Sequence, residues 1–189
     1  MTDHSAPAPI VLEALRGDLD SIDASVKRLE DERDPTTRAD LAMELIRVTS
    51  LVVDTMERSV YGEIEGQYPE IAEAGREGSN RLREAMVPVD HRTRHVTAVD
   101  VHRSDPEGFE QELAVLRRTV NEVRSWESRV LYPCLAGLSA QESASLADHT
   151  VHARKHASEH PAPAGRIVRT LHKVGAIMDH YPDIADRHE

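Results

Sequence analysis

The sequence predicts an all-α protein, and three observations support that class. Between Pro9 and Glu32 the apolar residues Leu12, Leu15, Leu19, Ile22, Val26 and Leu29 recur at steps of 3, 4, 3, 4 and 3, the spacing of a helix with one apolar stripe. Two Asp-Pro pairs, Asp34-Pro35 and Asp105-Pro106, each set a capping side chain ahead of a proline, a residue that fits a helix best in its first turn. Aromatic residues make up only 3% of the chain, with one Phe and one Trp, which is poor material for the pleated surfaces of a sandwich or barrel.

The elements follow in order. Helix one spans Pro9 to Glu32. Helix two opens at Pro35, carries Leu41, Leu45, Val48, Val52 and Met56 on one face, and ends near Gly62 to Gly66. Pro69 opens helix three, whose stripe of Ile71, Gly75, Gly78, Leu82 and Ala85 is thin in side-chain volume. Pro88 is expected to kink or end it, because proline lacks an amide donor and its ring clashes with the preceding turn. Val89 to Ser104 reads either as a helical continuation or as an ordered loop. Helix four starts at Pro106, aligns Phe109, Leu113, Leu116, Val120 and Val123, and is expected to stop at Tyr132-Pro133. Ser139 and Glu142 form a capping box for a fifth helix that reaches about His160. Pro161 and Pro163 break it, and a short amphipathic piece with Ile167, Leu171, Val174 and Met178 follows. The expected organisation is a disordered tail (1–9), an up-down four-helix bundle (10–138), a His-rich helix (139–161) and a C-terminal extension (162–189). The bundle thus has one or two extra C-terminal helices.

Composition narrows the function. A chain of 189 residues can bury one real core and carry a modest appendage. A net charge of −11 repels phosphate backbones and argues against a nucleic-acid partner. No apolar run approaches the ~20 residues that span a bilayer, so no membrane association is expected. Cys134 is the lone cysteine, which rules out an intrachain disulfide and fits a reducing cytoplasm. Met1 to Pro9 has neither the basic nor the apolar region of a signal peptide. Gly-rich phosphate loops, Cys-x-x-Cys and nucleophile elbows are absent from the sequence. Oligomeric state is not set by any of these features.

Helices two and four share a feature: each ends in a glutamate followed by an apolar-Tyr element, Glu57 to Tyr61 and Glu127 to Tyr132. The segment Trp126-Glu127-Ser128-Arg129-Val130-Leu131-Tyr132-Pro133 resembles the end of a helix of the hemerythrin-like, cation-binding (HHE) family, and Leu45 to Gly62 resembles the same element in helix two. Leu15 to Leu29 and Gly78 to Leu82 are similar to that family's first and third helices. The resemblance covers residues 10 to 138 and implies a four-helix bundle whose interior holds two irons on five histidines and two carboxylates. At the matched positions those ligands are missing. Leu19 stands for the first histidine, Val52 and Met56 for the His-x-x-x-Glu of helix two, Gly75 and Ser79 for the histidines of helix three, and Val123 with Glu127 for the pair on helix four. Only Glu127 keeps the ligand type. Aliphatic and thioether groups cannot replace imidazole on a hard di-iron centre, so oxygen carriage, iron storage and peroxide chemistry do not transfer, and no cofactor is expected.

Three expectations follow. In the first, the interior binds a small molecule in a pocket lined by Leu19, Val52, Met56, Tyr61, Gly75, Ser79, Val123 and Trp126, with Glu127 as acid or base. In the second, the core is solid and the protein is a structural or regulatory partner. Glu127 is then a buried group paired with a nearby arginine, Asn80 or Ser79, and the small residues of helix three serve close packing. In the third, histidines elsewhere hold a transition metal or haem. His149, His152, His156 and His160 lie within about 80° of one helix face, and His91 and His95 form another i, i+4 pair. The plainer reading of both sets is a polar helix face. A filled core favours the second expectation, and an apolar cavity touching Glu127 favours the first.

Overall fold

A computed structural model describes residues 10–95 and 105–159, and these residues form five helices with no strand among them. The expected N-terminal tail, residues 96–104, His160 and the C-terminal extension lie outside the described residues. Helix α1 spans Ile10–Asp31. Helix α2 (Pro35–Thr55) runs on through a π-helical turn (Met56–Val60) into a last α turn (Tyr61–Ile64). Helix α3 spans Pro69–His95. Helix α4 (Pro106–Trp126) passes through a second π turn (Glu127–Leu131) into a final turn (Tyr132–Ala136). Helix α5 spans Ala140–Glu159. No helix among the described residues is long and apolar enough to cross a membrane.

The starts are set by capping chemistry. The Asp34 carboxylate accepts the Thr37 amide at 2.8 Å, and Asp105 accepts the Gly108 amide at 3.0 Å, each with a proline next in the chain. Ser139 and Glu142 exchange hydrogen bonds, amide to carboxylate at 2.9 Å and amide to hydroxyl at 3.3 Å, which closes the expected capping box.

The two prolines expected to end helices do not end them. Pro88 lies inside α3, which continues to His95, so the first part of the open segment is helical. Tertiary packing outweighs the lost amide bond there: Met86, Val89, Asp90 and Thr93 are all buried, and the Thr93 hydroxyl bonds the Val89 and Asp90 carbonyls. Pro133 follows directly on the π turn of α4 and sits in the first turn of the next segment, where its missing donor matters least.

Packing follows the chain: α1 lies on α2, α2 on α3, and α3 on α4, while α5 covers α1, α2 and the α2 π turn. Long side chains bridge α1 and α4, with Arg124 reaching Asp23 at 3.2 Å and Arg117 reaching Glu30. Arg38 ties three helices. From α2 it donates to the Leu29 and Glu32 carbonyls at the end of α1, at 2.5 and 2.9 Å, and forks onto Glu110 of α4 at 2.6 and 2.9 Å. Every described stripe residue of helices one, two and four is buried, including Leu15, Leu45, Met56, Phe109, Leu113 and Leu116.

The thin stripe of α3 is a notch that other helices fill. A β-carbon added at Gly75 would clash with the ring of Tyr61, and one at Gly78 would meet Val123 at 3.5 Å. Tyr61 is fully buried and lines the same core cavity as Ser79. Gly62, exposed and next to Tyr61 in the chain, has open space around it. The same substitution therefore has opposite signs at two helical glycines. Gly75→Ala should destabilise by about 1–3 kcal/mol through overpacking against Tyr61. Gly62→Ala should stabilise by about 0.5–1 kcal/mol through its lower backbone entropy. Paired thermal melts check both signs.

Candidate functional site

The interior between α1, α2, α3 and α4 holds a small cavity of about 20 Å³. Its wall is mostly apolar (Ile22, Val52, Val53, Met56, Leu82, Val120, Val123), and Thr49, Tyr61, Ser79, Arg124 and Glu127 add polar groups. Five of the expected lining residues are there: Val52, Met56, Tyr61, Ser79 and Val123. Leu19, Gly75 and Trp126 are not. Leu19 is buried on the α1 side, the Tyr61 ring covers Gly75, and Trp126 packs half-buried on the flank of α4. A space this small admits about one water.

Glu127 is 4% exposed and begins the π turn of α4. Its partners come from its own helix and not from helix three. Arg124, one turn earlier, reaches Glu127 Oε2 at 3.3 Å, and the Tyr132 hydroxyl donates to the same oxygen at 3.3 Å. Arg124 also donates to the Tyr132 oxygen at 2.6 Å and to Asp23 of α1 at 3.2 and 3.4 Å. Asn80 accepts instead from Arg83. The π turn makes the Tyr132 contact feasible. In a regular helix a residue five positions on lies about 140° around the axis, whereas the i→i+5 register of a π turn, here Tyr132 amide to Glu127 carbonyl, turns it back toward the same face. The α2 π turn is the counterpart: Met56 stands where Glu127 does, and Tyr61 where Tyr132 does.

The electrostatics match this geometry. Burial raises the proton affinity of the Glu127 carboxyl, while the charge and hydrogen bond of Arg124 and the bond from Tyr132 pull the other way; the net shift is upward. Burial also raises both phenols, and the nearby Glu127 carboxylate adds to it. Burial works against the charge on Arg124, but hydrogen bonding to Asp23 and the negative neighbours outweigh it and hold the guanidinium firmly protonated.

The donor set does not fit a di-iron centre. The matched positions offer one carboxylate, already engaged by Arg124, among aliphatic, thioether and hydroxyl groups. Register neighbours that carry carboxylates are also engaged, Asp18 by Arg154 at 2.8 Å, Asp54 by Arg58 at 2.9 Å and Glu57 by Arg83. Among the described residues no group of three or more His, Cys, Asp or Glu side chains is placed to hold a metal ion. On α5, His149, His152 and His156 are exposed, with His149 Nδ1 2.7 Å from Glu63 and the rings of His152 and His156 4.3 Å apart edge to face. His160 lies outside the described residues, as does the side chain of His95.

Sequence reasoning missed Thr49, Arg124 and Tyr132. Arg124 was legible as the i−3 neighbour of a buried carboxylate. Tyr132 was not, because its contact depends on the π turn. A scan against protein-family models, a search of curated proteins and a search of solved structures each find no match for this chain.

The raised proton affinity of Glu127 sets the sign of a pH effect. A carboxyl that binds its proton more tightly when folded stabilises the fold while protonated. That contribution is lost as pH rises from the unfolded value of about 4.3 through the higher folded value. Glu127→Gln lacks the loss. The melting temperature of the Gln variant relative to the unchanged protein should therefore rise between about pH 4 and pH 7, and melts across that range check it.

Proposed function

We propose that this chain is a hemerythrin-like four-helix bundle with an added fifth helix, that it is metal-free, and that it works as a non-catalytic structural or regulatory partner protein. A reducing, cytoplasmic setting belongs to the same proposal and rests on the lone cysteine. One observation carries the reading: where a metal and its substrate would need room, the Tyr61 ring fills the Gly75 notch and the cavity beside Glu127 is about 20 Å³. The order of the four stripes and the paired π turns of α2 and α4 support the family resemblance.

The rival reading, a small-molecule site with Glu127 as acid or base, draws on the upward shift of Glu127 and its place in the cavity wall. Drug-sized ligands occupy about 300–1,000 Å³, so that reading requires the Tyr61 ring to leave its notch.

The test combines metal analysis, a thermal-shift ligand screen and one variant. Purified protein should contain no stoichiometric iron, and no small molecule should raise the melting temperature of the unchanged protein or of Glu127→Gln. About two irons per chain, or a compound that stabilises the unchanged protein but not Glu127→Gln, would overturn the proposal.

A further inference from the structure

We propose that the core cavity is a binding site for a single water molecule that bridges the Thr49 hydroxyl of α2 and the Glu127 carboxylate of α4. Three independent features point to it. The first is size: at about 20 Å³ the cavity exceeds the roughly 10–15 Å³ that one water requires and leaves no space for a larger guest. The second is an unmet hydrogen-bonding group. Thr49 is 1% exposed, lines the cavity, and its Oγ1 has no hydrogen-bond partner among the described residues. The buried threonines Thr55 and Thr93 instead bond a carbonyl one turn back, Leu51 at 2.8 Å and Val89 at 3.0 Å. The third is spare capacity on the carboxylate. Glu127 offers about four lone-pair sites, and the contacts from Arg124 and Tyr132 both fall on Oε2, each at 3.3 Å.

Water is the guest that this chemistry selects. It donates to the carboxylate and can donate to or accept from the hydroxyl, so both buried groups are satisfied by one molecule. A cation would find one carboxylate already engaged by Arg124, and an anion would meet that same carboxylate. An apolar guest would leave Thr49 unpaired. The bridge joins the middle of α2 to α4 at the start of its π turn, across the interior. It is independent of the partner proposed above, since it concerns the core alone.

Water-to-methyl Overhauser spectroscopy on isotopically labelled protein tests the site. Long-lived water should give cross-peaks at the methyl groups of Val52 and Val123, which line the cavity but carry no exchanging proton. The peaks should persist in Thr49→Ser, which keeps the hydroxyl, and vanish in Thr49→Val, which keeps the shape and removes it. Thr49→Val should also melt lower than the unchanged protein, although it deletes a group without a protein partner. Absence of the cross-peaks from the unchanged protein, or their survival in a folded Thr49→Val variant, would overturn the proposal.

Discussion

A carboxylate inside an apolar core has to be neutralised where it stands, and this molecule does so with one arginine. Arg124 holds Glu127, shares the Tyr132 hydroxyl, and reaches Asp23 on α1. One guanidinium thus satisfies the interior of α4 and ties α4 to α1. The π turn belongs to the same device, because without it Tyr132 would face away from Glu127. The sister π turn in α2 brings Met56, Val60 and Tyr61 inward together, and Tyr61 then closes the notch on α3. Beside Glu127 the side chains leave a cavity of only about 20 Å³.

The arginines of this protein are not equivalent. Pairs such as Arg28 with Glu44 and Arg81 with Glu122 are exposed on both sides and contribute little each. Arg38, Arg83 and Arg124 are mostly buried and carry several partners apiece: Arg38 caps α1 while holding α4, and Arg83 joins Glu57 of the α2 π turn to Asn80. Helix α5 is attached differently. Its inner face is small (Ser143, Ala147, Thr150, Ala153, Ala157 beside Leu146), and polar contacts pin it: Arg154 to Asp18, Thr150 to Ser59 at 3.2 Å, and His149 to Glu63. Its low apolar burial makes α5 the part of the fold with the smallest share of the hydrophobic stabilisation.

The stripes and caps were legible in the sequence because they are local. Steps of three and four place Leu15, Ile22, Leu45, Phe109 and Leu116 inward whatever the helix packs against, and Asp34 and Asp105 cap within three residues. Pro88 does not end its helix and Pro133 does not stop α4, because their cost is local while the compensation is tertiary in one case and a change of helical register in the other. The notch at Gly75 was visible, but its occupant was not: Tyr61 comes from another helix and reaches it only through a π turn. Glu127 was placed correctly on the core stripe. Of the partners the sequence suggests, the nearby arginine is the one present, Arg124 on the same helix, while Asn80 pairs with Arg83.

The claim at the centre is that Arg124 and Glu127 form one buried unit on which the closure of the interior rests. A double-mutant cycle in denaturant unfolding measures it most directly. Arg124→Met alone should cost about 3–5 kcal/mol, because it strands a buried carboxylate, and adding Glu127→Leu should restore most of that loss. A cost below about 1 kcal/mol for Arg124→Met, or two effects that simply add, would contradict it.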